Sequence, residues 1–169
     1  REEQLQTAIT AMGAAIWDWD IETDRLFAGS RFADILGLEP SAFKPTMAQH
    51  NELCHPEDLP DVVHAFRNHA ATGEPYGVEY RMRHSSGRYV WIHSRGRIVT
   101  FDGDKPVRAI GSFVEVTERR AATERLRQNQ ESLELAINVA QAGYFDIDEV
   151  TSEVYWSPRV REIFGVEDP

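Results

Sequence analysis

The chain has 169 residues, 41% hydrophobic and 27% charged, enough apolar material for one sizeable core with some chain left over. Its formal net charge of −10 argues against a general nucleic-acid binder, which needs clustered Lys and Arg. The lone cysteine, Cys54, excludes an internal disulfide, and no apolar run reaches the ~20 residues of a membrane span. Starting at Arg1 and showing no secretory signal, the sequence is expected to be a segment of a longer protein.

Residues 3–15, with Leu5, Ile9 and Met12 at helical spacing, predict a short amphipathic helix. "IWDWDI" at 16–21 alternates with period two and predicts a strand, with Trp17, Trp19 and Ile21 on one face and Asp18 and Asp20 on the other. After the turn "ETDR" and the short strand "LFAG", Ser30 reads as the N-cap of a helix with Phe32, Ile35 and Leu36 on its apolar face and Gly37 at its end. Residues 39–58, with three prolines, read as irregular. "EDLPDVVHAFRNHAATG" reads as a helix, acidic at its start and closed by Gly73. Three strands follow, "YGVEYRMRH", "YVWIHSRGRIVTF" and "VRAIGSFVEV", joined by "SSGR" and "DGDKP" turns. From Thr117 to Gln141 there is neither Gly nor Pro, which predicts one long helix.

The final stretch repeats the first. At a constant offset of 128 residues, Asp146 and Asp148 align with Asp18 and Asp20, Thr151 with Thr23, Arg159 with Arg31, Ile163 with Ile35 and Gly165 with Gly37. Two aspartates two residues apart can signal acid/base chemistry, but no companion acid, base or metal ligand accompanies them. The shared D-x-x-T pattern instead assigns Asp20 and Asp148 to turns, accepting hydrogen bonds from the turn backbone.

In this order, "WDWDIETD", "SRFADILG", "HPEDL", "GEPYGVEYRMRHSSGRYVWIHSRG" and "VEVTERRAATERLR" resemble a PAS domain with its PAC segment, over residues 3 to about 128. The likeness is to the kind found in bacterial sensor histidine kinases and diguanylate cyclases. It implies an α+β fold: a five-stranded antiparallel sheet with helices on one face, flanked by an N-terminal helix and a long C-terminal signalling helix. The expected organisation is a cap helix at 1–15, the sensory domain at 16–117, a linker helix at 118–142 and the truncated start of a second PAS domain at 143–169. The family's usual ending D-I-T-E-R-K is here Glu115-Val116-Thr117-Glu118-Arg119-Arg120, and the resemblance implies a signal junction at Glu115, Thr117 and Arg119.

A small-molecule pocket is expected beside Trp19, Phe32, Leu36, Phe66, Tyr80 and Trp91. No cofactor is expected. The N-C-R-F-L-Q motif of flavin-binding relatives is absent, and Cys54 reads as an ordinary small residue. His64 and His69 are about 140° apart on a helix, so at most one could reach a haem. His50, Cys54 and His55 lack a fourth zinc ligand. Glu79, Arg81 and Arg83 read as a charged sheet face with cross-strand ion pairs to Arg95 or Arg97; an anion-binding face is the alternative. On the long helix, Leu126, Leu133 and Ala140 recur every seven residues, as do Ala122, Asn129 and Ala136, offset by three. This seam predicts a weak parallel homodimer.

The leading expectation is a cytoplasmic sensing and dimerising module. Its partners would be a second copy and the adjacent PAS and output domains, with no nucleic acid and no membrane contact by this segment. A ligand-free structural relay and a haem- or flavin-dependent photoreceptor or enzyme are the alternatives.

Overall fold

The computed structural model describes residues 13–39, 41, 44 and 46–166, and the chain divides into two compact units, 1–120 and 121–169. In the first unit β1 (Ala14–Asp20) and β2 (Arg25–Ala28) form a hairpin, followed by α1 (Ser30–Leu36), α2 (Met47–Leu53) and α3 (Leu59–Thr72). Then come β3 (Tyr76–Arg83), β4 (Tyr89–Asp102) and β5 (Lys105–Glu115), which leads into α4 (Thr117–Val139). The five strands lie in the order β2-β1-β5-β4-β3, every neighbouring pair antiparallel.

Strand alternation decides which side is covered. Trp17, Leu26, Tyr80, Met82, Val90, Ile92 and Phe113 face one side and are buried there with Phe32, Ile35 and Leu36 of α1, Leu53 of α2 and Val62 of α3. Side-chain bonds fix the helices over this face. The Asp24 carboxylate accepts from the Trp19 indole at 3.2 Å and from the Met47 amide at 3.2 Å, tying the hairpin turn to α2. Asp58, at the start of α3, accepts from the Arg81 amide at 2.8 Å and from Arg81 Nε at 2.9 Å. At the other end of α3, the His69 ring accepts from the Ile98 amide of β4 at 3.0 Å.

Several sequence expectations change. The 3–15 helix lies mostly outside the described residues, and Ala14 and Ala15 belong to β1, because Ala15 pairs with Phe113 and is buried in the sheet. Ser30 is not the cap of α1. Gly29 holds that position, with no side-chain cap. Residues 39–58 are not wholly irregular: Thr46 caps α2 by accepting from the Gln49 amide at 3.2 Å. The Thr46-x-x-Gln49 spacing is that of a capping box and was present in the sequence.

The second unit carries the rest of α4, β6 (Phe145–Ile147), β7 (Val154–Trp156) and α5 (Pro158–Phe164). It reproduces the register and turn of the first hairpin at the 128-residue offset. Phe145 pairs with Trp156 as Trp17 pairs with Ala28. Asp148 accepts from the Thr151 amide at 2.9 Å as Asp20 does from Thr23 at 3.0 Å. Gly165 closes α5 in the left-handed conformation, φ 66°, as Gly37 closes α1 at φ 62°. The cap itself differs. Ser157, at the place of Gly29, accepts from the Val160 amide. Asp20 and Asp148 are thus turn residues, their carboxyls held below the usual range chiefly by these backbone bonds. Asp18 instead pairs with Arg108, whose Nε lies 2.9 Å from it.

Candidate functional site

Between the sheet and helices α2 and α3 lies a cavity of about 220 Å³. Its floor follows from one row of residues across all five strands: Ala28, Trp17, Gly111, Gly96 and Tyr76 stand in register. The two glycines carry no side chain into the core, so the Trp17 ring lies across them. A Cβ built on Gly96 would stand 2.3 Å from Trp17 Cζ2, and one on Gly111 also 2.3 Å from it. Glycine inside a strand marks such a close approach. Beyond the glycines, Tyr76 meets the Trp17 ring edge-on at 6.4 Å between centroids.

Val62, Val63, Phe66 and Arg67 of α3 and Met47, His50 and Asn51 of α2 form the roof, while Trp19, Leu26, Tyr80, Ser94 and Phe113 complete the walls. The polar groups form one chain. His50 is 3% exposed; its Nε2 lies 2.8 Å from the Tyr80 hydroxyl and its Nδ1 3.2 Å from Asn51 Oδ1. Ser94, buried on the same wall, works against the rise of the Tyr76 and Tyr80 phenols that burial causes. Burial holds the His50 imidazole below its ordinary value, so it is neutral at pH 7, and pushes the Tyr76 phenol up to about 12. Trp17 is 4% exposed, and its Nε1–H has no acceptor among the protein atoms. Among the described buried side chains it is the one polar atom so placed.

Of the six expected pocket residues, Trp19, Phe66 and Tyr80 line the cavity. Phe32 and Leu36 are core residues that do not reach its surface. Trp91 lies on the opposite face of the sheet, because β4 buries Val90, Ile92 and Ser94 and turns the residues between them outward. Trp17, His50 and Ser94 were absent from the expected set. The mid-strand glycines opposite Trp17 were a readable signal for the first; the other two depend on tertiary placement. Among the described residues no cluster of His, Cys, Asp and Glu could hold a metal, and His50, Cys54 and His55 do not converge. His69 spends its ring on Ile98 and on the Glu74 carbonyl, and His64 is exposed. Burial pushes the Cys54 thiol up to about 12, which makes it an inert core residue.

The other face of the sheet carries the junction with α4. The Val116 amide donates to the Trp91 carbonyl at 2.8 Å, and the Trp91 amide donates to Thr117 Oγ1 at 2.9 Å. Glu79 of β3 accepts from Arg119 and, at 2.7 Å, from Arg120, which hold its carboxyl below the usual range. The Arg120 guanidinium sits 3.8 Å from the centroid of the Trp91 ring. The cross-strand pairing of Glu79 with Arg95 or Arg97 is therefore not formed. Glu79 faces His93 in register, and Arg95 Nε donates to the His93 ring instead. Arg81 turns to Asp58 and Glu57. At the junction the polar contacts come from Thr117, Arg119 and Arg120, while the Glu115 side chain is exposed. Along α4 none of the described residues is buried; Leu126 is 59% and Leu133 61% exposed, and the helix ends at Val139, one residue short of Ala140.

A family model described as the PAS fold matches residues 25–113. A sensory box histidine kinase/response regulator from Burkholderia thailandensis superposes with a TM-score of 0.68 at 31% identity, over 78% of this chain and 98% of that structure. Among curated sequences, a blue-light-activated histidine kinase of Brucella anthropi is 25% identical over 71% of the chain and 24% of its own length. A probable diguanylate cyclase of Escherichia coli, DgcE, is 22% identical over 96% of the chain and 15% of its own length. The chain thus spans a quarter or less of these two relatives. Among the described residues no helix is long and apolar enough to cross a membrane.

Proposed function

The chain belongs to the PAS-fold family, and from that premise we propose that it is the sensory and dimerising module of a bacterial multidomain signalling protein. A small molecule in the core cavity would alter the junction with α4, and α4 would carry the change to an output domain. Histidine kinase or diguanylate cyclase activity in that output is proposed by analogy with the relatives. The working compartment is proposed to be the cytoplasm.

One observation carries this reading. The cavity wall and the junction are built from the same two strands. Phe113 lines the cavity and sits three residues before Val116, whose amide bonds Trp91. Ser94 lines it from β4, three residues after Trp91. A shift of either strand therefore moves the partners of Thr117 and Arg120. The contacts at stake are two backbone-linked hydrogen bonds and an exposed ionic cluster, worth about 0.5–1.5 kcal/mol for each neutral hydrogen bond and less for the ion pairs. A ligand's binding energy can bias an element of that size.

A second copy is the proposed cover for α4. Helices take most of their stability from packing an apolar face, and Leu126 and Leu133 have none buried. With Ala122, Asn129 and Ala136 they form a seven-residue seam suited to a weak parallel coil. Residues 143–166 are proposed as the opening hairpin and helix of a second PAS unit, because they repeat the register, turn and cap of the first.

The test is mass spectrometry of the protein purified natively and then denatured. A bound small molecule at near-unit occupancy, released on denaturation and lost on filling the cavity with Val62→Trp, is the expected result. A wild-type protein that neither carries nor takes up any molecule in the cavity would make the chain a ligand-free relay.

A further inference from the structure

Resting on the reading of the cavity as a sensor site, we infer that its ligand is a monocarboxylate with an apolar tail of one ring. The ring lies in the cavity and the carboxylate stands at the mouth, on Arg67. Exposure locates the mouth. Among the residues that line the cavity, Arg67 of α3 is the one that is exposed; Trp19, Met47, Asn51, Val63 and Phe66 are half-buried, and the rest are buried. Val63 and Arg67 are four apart on α3 and so share a helix face, as Met47 and Asn51 do on α2. The cavity therefore opens between these two faces.

The interior selects the tail. An apolar protein cavity of about 150 Å³ is enough to bind benzene, and the 220 Å³ here adds room for about two or three further non-hydrogen atoms. Trp17 meets Tyr76 at 87° with centroids 6.4 Å apart, so a flat ring finds both a face and an edge to pack on. The ionisable groups inside are uncharged, because burial keeps His50 neutral and raises the Tyr76 and Tyr80 phenols. A charge placed there would be stripped of water with no countercharge.

The rim selects the head. Arg67 is the one Lys or Arg on the lining, and it has no carboxylate partner among the described residues. Among those residues no Asp or Glu lines the cavity. Asp24, which accepts from the Trp19 indole and the Met47 amide, stands off the lining. Asn51 Oδ1 can only accept, so it takes the His50 Nδ1 proton, and the Asn51 NH2 is left without an acceptor among the described residues. A guanidinium and an amide NH2 on one rim are donors suited to a carboxylate. The net charge of −10 disfavours anions over the molecule as a whole, so a preference for an anion here has to come from this rim.

Three probes share one tail and differ in the charge of the head: 3-phenylpropionate, its neutral amide and 3-phenylpropylammonium. Binding to the full chain in low salt is read by isothermal titration calorimetry and by tryptophan fluorescence. We expect the carboxylate to bind about fivefold more tightly than the amide, the factor a well-placed exposed ion pair supplies, and the ammonium to bind most weakly. That preference should shrink in about 0.5 M salt. Arg67→Gln should bring carboxylate and amide level without moving the melt, because Arg67 is exposed. Arg67→Glu should put the ammonium first. Val62→Phe, which fills the cavity from α3, should weaken all three alike. Equal binding of carboxylate and amide, a preference unchanged in Arg67→Gln, or binding unaffected by Val62→Phe overturns the inference while leaving the sensor reading standing. Saturation by none of the three also overturns it, and in a protein that carries no molecule of its own it overturns both.

Discussion

Replacing Gly111 by alanine puts a methyl group where the structure has a wall. The new Cβ would lie 2.0 Å from the Arg95 carbonyl oxygen and 2.3 Å from Trp17 Cζ2, against an ordinary contact of 3.4 Å or more. The first neighbour is backbone, on the strand paired with Gly111 through the Gly96 register; it cannot withdraw by more than 1 Å without opening the β4–β5 ladder. The second is the cavity floor. Overpacking of this kind costs about 1–3 kcal/mol, occasionally more. The backbone of Gly111 is not left-handed, so alanine recovers about 0.4–1 kcal/mol by restricting the unfolded chain. The net loss is about 1.3 kcal/mol, or a fall of about 5 °C in Tm at roughly 4 °C per kcal/mol for a domain of this size. Gly29→Ala is the control. Its Cβ would meet nothing closer than 3.6 Å and its φ is −58°, so it should be neutral or slightly stabilising. Urea and thermal melts followed by near-ultraviolet circular dichroism report both stability and the Trp17 environment. A Gly111→Ala protein as stable as Gly29→Ala, with an unchanged tryptophan spectrum, would refute the placement of the indole over the two glycines.

Glu79→Gln should loosen the first turn of α4, raising amide exchange at 117–120 severalfold while shifting Tm little, because Arg119 and Arg120 are largely exposed. For His50 the unfolded chain binds a proton that the folded chain refuses, since burial lowers its pKa from 6.5. Its contribution to stability is therefore complete above pH 6.5 and is lost below it, at up to about 1.4 kcal/mol per pH unit. His50→Gln should flatten the stability profile between pH 7 and 5, and a His93→Gln control removes the share of the partly exposed His93, whose shift has the same direction. Leu126→Asp with Leu133→Asp should turn a dimer into a monomer in analytical ultracentrifugation without moving the melt of residues 13–120.

The fold was legible because its signals are periodic and local. The alternation in "IWDWDI" and "YGVEYRMRH" set the inward faces, Gly37 and Gly73 took the left-handed caps their positions demanded, and the D-x-x-T turns formed in both copies. The cavity was half legible. Alternation turned Tyr80 inward, but it also fixes Trp91 outward, and its grouping with the core came from bulk rather than phase. Glu79 shows the complementary limit. Its neighbours across the strand were predictable, yet its partners come from a helix about 40 residues further on, and charge pairing at that separation has no sequence period. His50 entered the cavity because α2 exists, and the proline-rich flanks hid a seven-residue helix whose capping pattern was in plain view.

Hydrogen exchange at the amides of Thr117–Arg120, with the cavity open and with it filled, tests the central claim most directly. Val62→Phe places a ring in the cavity from α3, which covers the face of the sheet opposite Trp91 and the junction. If strands β4 and β5 carry the state of the cavity to α4, filling it should change exchange at those four amides by at least threefold, and Glu79→Gln should abolish most of the difference. Identical protection at 117–120 in the open and filled proteins, with the cavity shown to be occupied, would contradict the account.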